Sequence, residues 1–116
     1  MRNDKSNVRT VKRKLSKCKD ICRTYNDIQY SYANILEADS LVSEFRCNVK
    51  LDNLELEGSY TTDFLIIKTN GDVIIRECVF INKLTKPLTI KLLDASHKYW
   101  SSKGVVDWGI VTNEDT

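Results

Sequence analysis

One stretch limits what this chain can fold into more than any other: Tyr60 to Val79, YTTDFLIIKTNGDVIIRECV. Two apolar runs flank Thr69-Asn70-Gly71, and Asn-Gly between such runs is a strong short-range signal for a β-hairpin. Asp63 and Glu77 interrupt the apolar pattern. A carboxylate inside an apolar strand is costly unless it is paired or holds a cation. The loop length decides whether the two can meet. A three-residue loop with Gly71 in the left-handed conformation places Lys68 against Asp72 and Asp63 across from Glu77 on one face. A two-residue loop pairs Asp63 with Cys78 and sends the acids to opposite faces. The first register is the expectation, and it gives a hard-oxygen site suited to Mg²⁺ or Mn²⁺.

The other elements follow from periodicity. Tyr25 to Ala38 carries Tyr25, Ile28, Tyr32, Ile35 and Leu36 at helical spacing, with Gln29 at the edge of the stripe. Val42 to Leu51 reads as a strand, Leu54 to Leu56 as a short extended piece, and Gly58-Ser59 as a break. The hairpin strands are expected near 61–68 and 72–81. Thr85 and Pro87 mark a helix start, Leu88, Leu92, Ala95 and Tyr99 its apolar stripe, and Gly104 its end. Val105 to Thr112 is a largely apolar strand, expected in the sheet interior. Strand, helix, strand after the hairpin is a βαβ crossover, so this strand is expected parallel to its neighbour. The fold class is therefore α/β, a mixed sheet of about four or five strands flanked by helices.

With 116 residues, one domain with one modest core is expected. No apolar run approaches a membrane span, and the basic N-terminus lacks the apolar segment of a secretory signal. Charge is uneven: residues 1–23 carry a balance of +7 and the remainder −5. Residues 1–24 read as a basic arm, with a weak helical pattern through Val11, Leu15, Cys18 and Cys22, preceding a domain over 25–116. Such an arm, through Lys12, Arg13 and Lys14, fits contact with a polyanion such as DNA; a solvated tail is the alternative. Lys91 and Lys98 share a helix face and are candidates for a DNA-facing edge. Cys18, Cys22, Cys47 and Cys78 show no paired CxxC spacing, and His97 is the only histidine. A zinc site is not expected, and reduced thiols are the default.

Taken together, these residues resemble the PD-(D/E)xK nuclease core, and more narrowly the N-terminal catalytic domain of the TnsA family, the endonuclease subunits of bacterial heteromeric transposases. Tyr60-Thr61-Thr62-Asp63-Phe64 is close to the family's Y-T-P-D-F, and Leu36 to Val42 is similar to its L-E-x-D-x-x-V step. Glu77 stands at the strand's second acid or amide, and Trp108 to Thr112 resembles its closing strand. The resemblance covers roughly residues 25–113. It implies a restriction-endonuclease-like fold and an Mg²⁺- or Mn²⁺-dependent endonuclease that hydrolyses a phosphodiester at a transposon end. Double-stranded DNA and other transposase subunits would be partners, in a bacterial cytoplasm near the nucleoid. Asp63 and Glu77 would be the metal ligands. The family's lysine position holds Val79, so Lys83 becomes the nearest replacement, with Lys86 and Lys91 as alternatives. The helix carboxylate position holds Gln29. A catalytically degenerate nuclease-fold domain, binding DNA or docking a partner, is the competing reading.

Overall fold

The structure, a computed structural model, describes residues 10–51 and 60–114. Strands β1 (Val11–Arg13) and β2 (Cys22–Thr24) form a small antiparallel pair. Helix α1 (Asp27–Ala38) follows, then β3 (Val42–Lys50), β4 (Thr61–Lys68) and β5 (Val73–Cys78). A 3₁₀ turn (Ile81–Lys83), helix α2 (Pro87–Ser102) and β6 (Asp107–Val111) complete the order. The main sheet runs β3-β4-β5-β6, antiparallel across the first two pairings and parallel across the last. The chain is thus mixed α/β, with a four-stranded mixed sheet and two helices. The extended piece expected at Leu54 to Leu56 and the break at Gly58-Ser59 lie outside the described residues.

The hairpin register is the three-residue one. Phe64 pairs with Arg76, Leu65 with Ile75 and Ile66 with Ile74. The Lys68 N–H donates to the Asp72 carbonyl at 2.9 Å, and the Gly71 N–H to the Lys68 carbonyl at 2.9 Å. Gly71 has φ +92°, with nothing within 4 Å of where a Cβ would stand. Its side chain is therefore missing for conformational reasons alone, because L-residues are strained at this φ. Gly71→Ala is expected to destabilise the fold by about 1–2 kcal/mol, read as a lower denaturant midpoint at unchanged slope.

The sheet has two apolar faces. On one, Phe45, Phe64, Ile66 and Cys78 pack against Ile28, Ala33 and Leu36 of α1. On the other, Ile75 and Val79 pack against Leu92, Leu93 and Trp100 of α2. Helix α1 starts at Asn26, whose side chain accepts from the Gln29 N–H at 2.9 Å. Its stripe differs from the expected one in that Ile35 is exposed and Gln29 is buried. Helix α2 starts at Lys86 rather than Thr85, and Pro87 holds the first turn. Leu88, placed in its apolar stripe by spacing, is exposed, while Thr89 and Ser96 are buried. Gly104 ends α2 at φ +89°: its N–H reaches the Ser101 carbonyl, and the Val105 N–H reaches the Trp100 carbonyl, both at 3.0 Å. That pair of bonds is a Schellman closure.

Two further expectations need correction. Residues 11–24 carry strands where the spacing suggested a helix. The stretch gains more by pairing across a turn and against the sheet. The Phe45 N–H donates to the Lys17 carbonyl and the Lys19 N–H to the Phe45 carbonyl, so this segment covers the outer edge of β3. Glu37 of α1 fixes it further, accepting from the Ser16 and Lys17 N–H groups at 3.0 Å each. The second correction concerns β6. It pairs in parallel with β5 as the crossover predicts, but stands at the sheet edge rather than in its interior. Val111 packs in the α1-side core and Trp108 against the α2-side core, while Ile110 is exposed.

Candidate active site

Asp63 and Glu77 meet as the register requires. Both are essentially fully buried, at 1% and 0% exposure. Their carboxylates form one connected network. Glu77 Oε1 accepts from the Asp63 N–H at 2.9 Å, and Glu77 Oε2 from the Ser96 hydroxyl at 2.6 Å. Asp63 Oδ2 accepts from the Cys78 N–H at 2.7 Å, and Asp63 Oδ1 from Gln29 Nε2 at 3.0 Å. Arg76, next to Glu77 in sequence, is directed to the other face of the sheet. There its guanidinium pairs with Asp107 at 2.8 Å. Gly109 leaves the room this needs, since a Cβ there would lie 3.1 Å from Arg76 Nη1.

Gln29 is held from both ends. Its Oε1 accepts from the Tyr25 N–H at 2.7 Å while its Nε2 reaches Asp63. This is a variant of the capping box: the N-cap Asn26 serves the N–H of Gln29, and Gln29 reaches back past the cap. The Asn26-x-x-Gln29 spacing was the available signal for a helix start at this point, and periodicity alone passed over it.

Burial, then repulsion from Asp63, raises the Glu77 carboxyl from its ordinary value near 4.5 to about 7. The Tyr60 phenol is pushed upward by burial first and then by Glu77 and Asp63. Its hydroxyl is buried next to Ser96 and the Glu77 carboxylate. A carboxylate oxygen has two lone pairs, so a single hydrogen bond does not exhaust it. The acid pair offers hard oxygens, the donor type that Mg²⁺ or Mn²⁺ takes in preference to a soft ion; the Gln29 amide turns its Nε2 to Asp63 and is not itself a ligand.

Neighbours that spacing did not single out complete the site. Ser96 is fully buried on α2 and also accepts from Trp108 Nε1 at 3.0 Å. Trp108 stacks on His97 with ring centroids 4.6 Å apart. Trp100 Nε1 donates to Thr62 Oγ1 at 2.7 Å, tying α2 to β4 next to Asp63. A serine in line with Leu92, Leu93 and Trp100 on one helix face was the available signal.

The lysines are placed differently. Val79, at the family's lysine position, is buried in the α2-side core. Lys83 closes the 3₁₀ turn after β5 and is half-buried. Lys86 and Lys91 are exposed at the start of α2. Lys98 is exposed and pairs with Asp94 one turn earlier at 2.9 Å. Lys12 and Lys14 are exposed beside the small β1-β2 pair. Arg13 instead lies over the Tyr30 ring at 3.8 Å and donates to the Asn34 side chain. The β1-β2 group sits with α1 and the Lys91/Lys98 group with α2. The two sets of basic candidates therefore occupy elements on opposite sides of the sheet.

No known family model matches the chain, and no curated protein matches it.

Proposed function

We propose that this chain is a divalent-metal-dependent DNA endonuclease domain on a restriction-endonuclease-like fold, acting as a TnsA-type subunit of a heteromeric transposase. The observation that supports it is the convergence of Asp63, Glu77 and Gln29, from two adjacent strands and a separate helix, on one buried spot. Asp63 and Glu77 would hold Mg²⁺ or Mn²⁺. When bound, the ion polarises a phosphodiester and lowers the pKa of a coordinated water. Gln29 orients Asp63 through its amide. Ser96 and Trp108 fix the rotamer of Glu77. The Tyr60 hydroxyl, next to Ser96 and Glu77, would hydrogen-bond a water or phosphate oxygen entering beside the acids. Lys83 is the nearest lysine in sequence to assist from the end of β5.

The closure of the network favours a second reading, a non-catalytic DNA-binding or partner-docking module on the same fold. Each carboxylate oxygen already accepts a protein hydrogen bond, and Val79 brings no charge. Nicking of supercoiled plasmid separates the two. The nuclease reading expects open-circle product with Mg²⁺ or Mn²⁺ and none with chelator. Salt-dependent DNA binding with no metal-dependent nicking would transfer the case to the second reading.

A further inference from the structure

We propose that Cys18, Cys22 and Cys47 form a three-thiolate zinc site that clamps the N-terminal strand pair to the main sheet. The three sulfurs lie within 4.8 Å of one another. Cys18 and Cys47 Sγ are 3.8 Å apart, and Cys22 and Cys47 Sγ are 3.4 Å apart. Four-coordinate zinc with Zn–S bonds of about 2.3 Å sets neighbouring sulfurs about 3.8 Å apart. Two of the three spacings are therefore close to those of a tetrahedral face, and the third, Cys18 to Cys22, lies within 4.8 Å, so a zinc ion enters once those two sulfurs close by at most about 1 Å. The donors are soft and uniform, which selects zinc over the hard ions suited to the acid pair.

The scaffold holds the sulfurs independently of any ion. Cys22 lies in β2 and Cys47 in β3, and Asn48 Nδ2 donates to the Arg23 carbonyl at 2.8 Å between them. Asn48 itself adopts φ 55°, a left-handed conformation that asparagine tolerates. Cys18 is fixed by its bridge to Phe45. The Asp20 N–H faces the Cys18 sulfur, and the Arg13 guanidinium acts on Cys22. Both act towards the thiolate form, against the neighbouring thiols and burial, which push the Cys18 and Cys47 thiols up; a zinc ion would reverse that by displacing their protons. A groove lined by Leu15, Cys18, Asp20 and Ile21 opens at Cys18 and gives the fourth position to solvent water. His97 is not a ligand, since it stacks on Trp108 at the α2 side of the sheet.

Binding replaces three S–H bonds by three Zn–S bonds and releases the protons to solvent. Zinc changes no oxidation state, and no co-reactant is needed. The clamp would hold β2, and with it Tyr25, whose N–H anchors Gln29.

The test is titration of the reduced full chain with Co²⁺ as a spectroscopic probe, followed by Zn²⁺ displacement. One equivalent of Co²⁺ should give thiolate charge-transfer bands and intense tetrahedral d–d bands, and one equivalent of Zn²⁺ should abolish them. Zn²⁺ should raise Tm by at least about 5 °C and protect three of the four thiols from alkylation. Cys22→Ser and Cys47→Ser should each weaken binding at least about 100-fold. Absence of thiolate bands in the fully reduced wild-type chain overturns the proposal, and so does alkylation of all four thiols at the same rate with and without Zn²⁺. Neither readout depends on a variant folding or on DNA cleavage, so failure here is separate from failure of the nuclease reading.

Discussion

On the proposed nuclease reading, Asp63→Ala should abolish metal-dependent DNA cleavage, an expected loss of at least about 100-fold, because it would delete one of the two proposed metal ligands. The substitution has a structural component too. It strips the acceptor from Gln29 Nε2 and from the Cys78 N–H, both buried. An orphaned buried donor costs about 1–3 kcal/mol, so the alanine variant should also lose stability. Asp63→Asn tells the two effects apart. Its carbonyl oxygen can still accept from Cys78, while its amide faces the Gln29 amide and supplies no charge. The asparagine variant should therefore stay folded at assay temperature yet cut no faster than the alanine variant. Plasmid nicking rates at fixed Mn²⁺, read beside thermal melts of all three proteins, decide it. Undiminished cleavage by either folded variant would remove Asp63 from the chemistry.

Glu77→Gln should change how stability depends on pH. In the metal-free protein the folded-state carboxyl titrates near 7 and the ordinary value is 4.5. Below about pH 4.5 the group is protonated in both states and contributes no difference. Between about 4.5 and 7 the folded state binds more protons than the unfolded state, so stability falls as pH rises. Above about 7 the loss is complete, at about 3 kcal/mol for a shift of this size. Glutamine keeps the shape without the charge. Its oxygen can accept from the Asp63 N–H, and the Ser96 hydroxyl can rotate to accept from its amide. The variant is expected to be more stable than wild type by about 3 kcal/mol at pH 8 in chelator, and to lack the downward slope between pH 4.5 and 7. Mn²⁺ should narrow that gap by stabilising wild type alone. Urea unfolding across this pH range checks both points, and parallel curves for the two proteins would mean that the Glu77 charge is not what the fold opposes.

The hairpin was legible because its determinants are local. Asn70-Gly71 supplies the left-handed residue that a three-residue loop needs, and the alternation of FLII against VII fixes which side chains share a face. From that register the meeting of Asp63 with Glu77 follows without knowledge of any other element. The parallel β6 was legible for a similar reason, since a helix between strands returns the chain in the same direction. Gln29 was placed near the acids only through the family resemblance.

What spacing along the chain could not supply was contact between distant residues. Val11, Leu15, Cys18 and Cys22 fit a helical period, yet Val11 pairs with Thr24, Cys18 bridges to Phe45, and the Ser16 and Lys17 N–H groups between them bind Glu37; these pairings take precedence over a weak stripe. Cys47 lies 25 residues beyond Cys22, and no cysteine motif links them; the packing of β2 on β3 brings their sulfurs together. Ser96 reads as a neutral helix residue until α2 packs over β5 and delivers its hydroxyl to Glu77. Sequence alone determined the turn, the faces and the strand directions, because each depends on backbone geometry over a few residues. Tertiary structure decided which polar groups share the space between layers, because that depends on how separate elements dock, and docking is set by the summed burial of both sheet faces.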